Sequence, residues 1–519
     1  MSTRIVPHPE WILTAEQGRN LDRQTIERFG IDGFTLMEMA GTHTARRLLD
    51  CTVPGDSGLL FCGKGNNAGD ALVAARWLLQ LGRPLTVLFV SGTGDLSPSA
   101  AKNLELLRKV SEEDNDAAEL LIIDGWEEAW ENYWSRAAAP PADFDFIVDG
   151  MLGTGLDSEL RAPYPEAVTL ANEAGLPVFA VDIPTGLHAD RGVPLGGAVR
   201  ADETLTYGTR KPGLYLGEGP EHAGRITFCE LPFPNYMKKE QGVNTFLIDR
   251  GWVGEPGREP ARHKYEKGVV YVLGGSEGLT GAALMSAQSA WGAGAGAVIW
   301  IAPRGLLSRV EGRHPQIITR PVGEAGDLRY TAAHAREALA IMNEKHGTAL
   351  LGPGLGRADE TQEFVEKVAG TYSGELVIDA DGLRALAAAG LTPPGQASWI
   401  LTPHPGELGD LLGKAPDGDY ERLQRVRAWA ADHGVTLLSK GYPSIVGTSD
   451  GNAYITGYDT RVFSRAGFGD VLSGKIAALC ALGHQPLQSC CLAMLDGIER
   501  VAELNASGGR HIPEPLDLI

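Results

Sequence analysis

Three polar loops in the first half of the chain carry residue types able to hold a ligand. Asn66-Asn67-Ala68-Gly69-Asp70 places two amides and a carboxylate at what reads as a helix start near Ala71. Residues 144–148 and 178–181 are apolar runs, and they open into Asp149-Gly150-Met151-Leu152-Gly153-Thr154-Gly155-Leu156 and Asp182-Ile183-Pro184-Thr185-Gly186. In a parallel sheet the C-terminal strand ends share one rim, where ligands bind. Asn66, Asn67, Asp70, Asp149, Asp182 and Thr185 are therefore expected to face one crevice. Buried carboxylates among amides and hydroxyls, without Cys or His, suit a hard cation held by oxygen. Taken alone, the first loop reads as an ordinary Asn-rich turn with Asp70 as N-cap; the two further strand ends tip the balance.

The second half has its own candidate. Gly467-Phe468-Gly469-Asp470 precedes an apolar helix at 471–482. Glycines let the backbone wrap an anion, and the helix dipole reinforces the binding. Asp470, in the first turn, can take a proton from a hydroxyl as that hydroxyl attacks a phosphoryl group; the bland reading is a plain N-cap. Other strand-end loops are 352–356, Asp379-Ala380-Asp381, 402–407 with His404, and Lys440-Gly441. His404 has no second His or Cys at metal-ligand spacing.

Several motif matches fail in context. Gly63-Lys64-Gly65-Asn66-Asn67-Ala68 fits a dinucleotide fingerprint, but the next strand ends Phe89-Val90-Ser91 without the carboxylate a ribose needs. GxSxG occurs at 274–278 and again at 447–451, and in neither place does a strand pass straight into a helix. The stretch 469–475 resembles a P-loop until Ile476 stands where Ser or Thr should meet magnesium.

The elements that position these loops alternate between strand and helix. Apolar runs at 57–62, 85–90, 120–123, 144–148 and 178–181 alternate with helical patterns such as 70–81 and 165–174. The grammar returns at 269–273, 297–301, 349–351, 376–378, 399–401 and 436–438, followed by a hairpin from 443–447 and 452–456. Apolar runs without alternation suit strands buried on both faces, so each half is expected to be a doubly wound α/β domain. Residues 254–262 are rich in Gly, Pro and charge, as linkers are, and 244–249 looks like an apolar segment belonging to the second unit. The boundary is set near residue 240, giving domains of 1–240 and 241–519.

Composition narrows the partners. The 519 residues carry 46 Lys and Arg against 66 Asp and Glu, a net charge of −20. That excludes a broad nucleic-acid or anionic-membrane footprint but not a small phosphate ligand bound by backbone N–H groups. The 67 glycines, roughly twice the usual share, cluster at turns between apolar runs. No signal-peptide core or membrane-length apolar stretch is found, and six cysteines without CxxC spacing read as buried thiols, so a cytoplasmic protein is expected.

With CGKGNNAGDA, VDGMLGTGL, VDIPTGL and Lys211-Pro212-Gly213-Leu214 in the first half, the chain resembles the bifunctional NAD(P)H-hydrate repair enzymes of bacteria. In the second half the likeness rests on His263-Lys264, Lys267-Gly268, GGSEGLTGA, GPGLG, IDADGL, LTPHPGEL and GFGDVLSG. The resemblance implies a Rossmann-like three-layer epimerase domain followed by a ribokinase-like dehydratase domain. The first interconverts R- and S-NADHX and NADPHX with a potassium ion. The second dehydrates the S form to NAD(P)H, consuming ADP with magnesium and releasing AMP and phosphate. It implies potassium at Asn67, Asp149 and Thr185, and hydrate at Asn66, Asn67, Ala68, Gly69, Asp70, Gly153, Thr154, Gly155, Leu156, Asp157, Ser158, Glu159 and Asp182, with Asp182 also catalytic. In the second domain it implies hydrate contacts at Ala282, Gly354, Gly356, His404 and Asp470. Nucleotide is implied at Lys440, Gly441, Tyr442, Pro443, Ser444, Gly467, Phe468 and Gly469, with Asp470 catalytic. Thr185 stands where the family has Ser, and Phe468 where Thr is frequent. Ala68 and Ala71 replace glycines of the NNGGDG pattern, and each methyl either crowds a ligand or rules out a positive φ. Related proteins assemble, so a homo-oligomer is part of the expectation. Two other readings are a hydroxyl kinase of the ribokinase-like class and a first domain kept only as a binding scaffold.

Overall fold

The computed structural model describes residues 10–134, 143–254, 268–308, 310, 314–506 and 512–519. The expected linker lies outside the described residues beyond Gly254, as do His263, Lys264 and Lys267. The chain forms two compact units, Trp11–Val243 and one built from Asn244–Ile519.

The first unit is built on seven parallel strands: β1 (Gly58–Cys62), β2 (Leu85–Phe89), β3 (Leu120–Ile123), β4 (Phe146–Gly150), β5 (Val178–Val181), β6 (Glu203–Tyr207) and β7 (Arg225–Cys229), in the order β3-β2-β1-β4-β5-β6-β7. Successive side chains of a strand point to opposite faces, and both faces here are covered. Leu60 and Cys62 join one apolar cluster, Leu59 and Phe61 the other. The order reverses between β1 and β4, which opens the sheet's C-terminal edge at that point. Helices α1 (Ala15–Gln24), α2 (Gly33–Cys51) and α3 (Asn66–Gln80) flank that opening.

Helix α3 begins earlier than its sequence suggests. Gly65 is the N-cap and Asn66 the first helical residue, so Asp70 sits inside the helix and caps nothing. The same fact settles the two alanines. Both have helical backbone, and both side chains are fully buried in the apolar cluster. Alanine in place of glycine then favours the helix by about 1 kcal/mol per site.

The second unit's sheet contains β8 (Thr245–Ile248), β9 (Val269–Leu273), β10 (Ala297–Pro303), β11 (Ile318–Val322), β12 (Gly347–Leu351), β13 (Glu375–Ile378), β14 (Ser398–Leu401), β15 (Thr436–Ser439), β16 (Ile445–Gly447) and β17 (Ala453–Thr456). Their order is β8-β17-β16-β15-β14-β13-β12-β9-β10-β11. Only β16 is antiparallel to its neighbours, and it forms the expected hairpin with β17. The apolar segment assigned to the second unit contains the strand β8, which pairs with β17. Helices α4 (Thr280–Gly292), α5 (Pro405–Leu412) and α6 (Phe468–Ala481) follow β9, β14 and the hairpin.

The P-loop look-alike has a packing role. Gly474 presses α6 on α4 so closely that a Cβ there would lie 2.2 Å from the Ser286 carbonyl oxygen. Gly474→Ala is therefore expected to destabilise the second unit by about 1–3 kcal/mol through overpacking, against a helix-propensity gain of about 1 kcal/mol. A urea titration followed by far-UV circular dichroism measures the difference. All six cysteines are free; Cys51 is exposed at the end of α2, not buried as expected, while the others are buried. Among the described residues no helix is long and apolar enough to cross a membrane.

Candidate functional sites

The first unit's cavity, about 440 Å³, opens where β1 and β4 part. Asn66, Asn67 and Asp70 from the start of α3, Gly153, Thr154 and Gly155 after β4, and Asp182 after β5 line it. So do residues given no site role in the sequence reading: Asp22 and Arg19 on α1, Tyr207 at the end of β6, and Thr209 and Lys211 beyond it. Ala68 and Gly69 are not brought to the cavity. Gly69 faces α2, where a Cβ would meet the Met37 sulfur at 2.5 Å. Leu156 is half-buried away from the lining, and Asp157, Ser158 and Glu159 are exposed.

Asp149 and Thr185 do not reach the crevice either, although their shared-rim placement was expected. Both are fully buried. The Asp149 carboxylate accepts the Thr185 hydroxyl at 2.6 Å and the Met151 N–H at 3.2 Å on one oxygen, and the Thr185 N–H at 2.7 Å on the other. Burial raises this carboxyl to about 6 despite those bonds. Among the described residues no cation pairs with it. The buried Asn67 amide nitrogen has no hydrogen-bond partner, and its oxygen lies beside Gly153. A fully buried carboxylate with no cation paired to it among the described residues, next to the Thr185 hydroxyl, fits a hard cation bound by oxygen.

Asp182 closes β5 with φ +65, sparsely populated for a residue other than glycine. Its carboxylate accepts from Lys211 Nζ and from the Tyr207 N–H at 3.1 Å. Asp70 is pushed well above the ordinary carboxylate range, first by burial, then by Asp182 and Asp22, with Lys211 opposing.

The second unit's cavity, about 590 Å³, lies over the ends of β13, β14 and β15 and the start of α6. His404, Lys440, Gly441, Tyr442, Ser444, Gly467, Phe468, Gly469 and Asp470 line it, as expected residues brought together. Pro443 does not line it; its carbonyl accepts from the buried Arg422 at 2.6 Å. Ala282, Gly354 and Gly356 gather instead around the opening between β9 and β12, where Gly354 packs against Leu279 and Ala282.

Glycine at 467 is required by its φ of +95, and no side chain caps α6. The Phe468 N–H turns to the Arg465 carbonyl at 3.5 Å, which leaves the Gly469 and Asp470 N–H groups of the first turn to meet an anion. Lys440 Nζ bonds Asp379 at 2.8 Å and lies 3.3 Å from where a Cβ on Gly469 would be. A cation and a helix N-terminus therefore converge beside Asp470. The Asp470 carboxyl is raised to about 7, first by burial and then by Asp379, while Lys440 acts in the opposite sense. His404 caps α5: its Nδ1 accepts the N–H groups of Gly406 and Glu407 at 3.0 and 3.3 Å, and Glu407 accepts the His404 N–H at 2.9 Å. With Nδ1 accepting, Nε2 is the ring's donor and lies 3.2 Å from the other Glu407 oxygen.

Two family models match the chain: YjeF-related protein N-terminus over residues 33–213 and NAD(P)H-hydrate dehydratase over 270–503. The bifunctional NAD(P)H-hydrate repair enzyme Nnr of Salinibacter ruber is 37% identical over 517 residues, covering 97% of this chain and 93% of the relative. The chain belongs to the bifunctional NAD(P)H-hydrate repair enzyme family. The Moorella thermoacetica member is 32% identical, covering 92% of this chain and 89% of its own. The Escherichia coli member is 28% identical, covering 94% and 88%. Of solved structures, an ADP/ATP-dependent NAD(P)H-hydrate dehydratase from Bacillus subtilis aligns with 52% of this chain and 94% of its own, at 22% identity and a TM-score of 0.44. A ribokinase-like superfamily protein from Enterococcus faecalis aligns with 50% and 87%, at 20% identity and a TM-score of 0.43. Both family assignments fall on α/β units of the kind the sequence predicts.

Proposed function

We propose that the chain repairs hydrated nicotinamide cofactors by two activities, an epimerase in residues 1–240 and an ADP-dependent dehydratase in residues 241–519. The observation that carries this reading is Asp470 facing a cavity at the start of an uncapped helix, with Lys440 beside it, in a member of the repair family. The uncapped N–H groups and Lys440 bind the phosphates of ADP. Asp470 takes the proton of the ring hydroxyl as its oxygen attacks the terminal phosphorus, and AMP leaves. The resulting phosphate ester then loses phosphate: the C–O bond breaks, a neighbouring ring carbon gives its proton to the departing phosphate, and the ring double bond returns.

Among the described residues no three His, Cys, Asp or Glu side chains gather as a metal-ligand set. A magnesium ion brought by the nucleotide would draw its oxygens from phosphate and water, and would supply charge neutralisation there. In the first unit Asn67, Asp149 and Thr185 would hold potassium, whose charge would offset the buried carboxylate. The lined cavity above them supports an active first unit over a scaffold.

Purified protein with S-NADHX and ADP is expected to restore absorbance at the reduced-nicotinamide band, and R-NADHX is expected to follow through the epimerase. No recovery from the S form overturns the dehydratase. Recovery from S with R left at its uncatalysed rate overturns the epimerase. Running the assay with ATP beside ADP measures the nucleotide preference.

A further inference from the structure

Hydration of a dihydronicotinamide puts the hydroxyl on the ring carbon next to nitrogen, because the nitrogen lone pair stabilises a cation there. The R and S hydrates differ at that carbon, so inversion through this cation breaks the C–O bond and remakes it on the opposite face. That chemistry needs a proton donor for the departing hydroxyl and a proton acceptor for the incoming water.

The first cavity holds three carboxyls, Asp22, Asp70 and Asp182, in unequal surroundings. Lys211 is committed to one of them. Its ammonium donates to Asp182, to Thr206 Oγ1 at 3.0 Å and to the Tyr207 carbonyl at 3.3 Å, which uses all three of its protons. The Tyr207 N–H bonds the same Asp182 oxygen, leaving the other for a ligand. Asp182 is thus held by the Lys211 ammonium and the Tyr207 N–H at a fixed, sparsely populated backbone angle. Asp70 lines the same cavity with no ion-pair or hydrogen-bond partner for its side chain among the described residues; Lys211, the cation that acts on it, is bonded to Asp182. Carboxylates on α1 and after β5 repel any charge it would carry. Two carboxyls of one cavity, one ion-paired to a lysine and the other without a hydrogen-bond donor among the described residues, are placed to act as an acid–base couple.

We propose that Asp70 and Asp182 are the acid and base of the inversion, with Lys211 as the positioning residue of Asp182; the inference rests on the epimerase reading. Asp70 gives its proton to the ring hydroxyl, which leaves as water while the nitrogen lone pair forms the C=N bond. A water on the other face bonds to the same carbon, its proton passes to Asp182, and the C=N pair returns to nitrogen. Turnover in the reverse sense, or exchange with solvent, resets both carboxyls.

The test follows inversion of R-NADHX by the full chain in ¹⁸O-labelled water. One labelled oxygen is expected per inversion. Asp70→Asn and Asp182→Asn are expected to slow inversion at least 100-fold, in kcat more than KM, the range general acid–base catalysis covers. ADP-dependent dehydration of the S form by the same chains reports that each variant is folded and is expected at the wild-type rate. Lys211→Met is expected to fall like Asp182→Asn, and Lys211→Arg to recover most of the loss. Inversion without label uptake, or Asp70→Asn at the wild-type rate, overturns the proposal. A wild-type chain that dehydrates S but does not invert R overturns the epimerase reading beneath it.

Discussion

Asp470→Asn is expected to lower S-hydrate dehydration by about 10²–10⁴-fold, the contribution of a positioned proton acceptor, with KM for the hydrate and for ADP little changed. The amide keeps the shape of the side chain and cannot take the hydroxyl proton. The uncapped first turn of α6 and Lys440 remain to bind phosphate, so binding survives while the chemical step fails. The wild-type carboxyl, raised to about 7 by burial and by Asp379, ionises only as pH passes neutrality. The rate of the free enzyme is therefore expected to climb through about pH 7, and that limb is absent in Asp470→Asn. Lys440→Met removes the charge that holds this carboxyl down, so the limb should move to higher pH as the rate falls. Folding responds in the opposite direction. The fold favours the protonated carboxyl, so its contribution to stability is full below the ordinary value of 3.8 and is lost as pH rises through about 7. A kcat/KM profile with saturating ADP checks the limb, and a variant with an unchanged profile removes Asp470 from the role.

The parts of the fold that were legible in the sequence are those whose burial leaves a pattern. β1 (GLLFC) and β9 (VVYVL) are fully buried and read as apolar runs. β6 (ETLTY) and β7 (RITFC) carry charge and threonine, and β11 (ITRPV) carries an arginine and a proline at the sheet's edge, so they do not stand out. The start of α1 carries no motif, yet Thr14, Ala15, Gly18 and Arg19 form one wall of the cavity. The start of α3 was misplaced because Asn and Asp are common caps, whereas Gly65 holds that position. The motif loops located both cavities, since strand-end glycines mark where a backbone turns towards a ligand. They did not show that Lys211, 29 positions after Asp182, is its partner, or that Asp22 shares the cavity. Those pairings exist only after the sheet has brought the ends of β5 and β6 and helix α1 together, and no local spacing encodes them.

Asp149→Asn is expected to cost the first unit several kcal/mol and to abolish its response to potassium. The carboxylate meets only donors, two N–H groups and a hydroxyl. An amide offers one oxygen and turns its NH₂ towards a donor, leaving buried groups unsatisfied at about 1–3 kcal/mol each. The wild-type carboxyl carries its own cost: its rise from 3.8 to about 6 corresponds to about 3 kcal/mol against the charged form. Without a cation, stability of the unit therefore falls as pH rises from about 4 towards 6, as the fold must accept the buried charge. In the proposed reading potassium is expected to reverse this trend, because the ionised carboxylate would hold it. At a potassium concentration a hundredfold above its Kd the gain is about 2.7 kcal/mol, and it should grow through about pH 6. Thermal melts of the whole chain in potassium and in choline chloride, at pH 5 and pH 7.5, measure both effects without reference to activity. The potassium-dependent rise should be large at the higher pH, small at the lower, and missing in Asp149→Asn. An equal rise at both pH values, or one retained by the variant, would place the cation elsewhere; equal melts in the two salts would remove it from the unit.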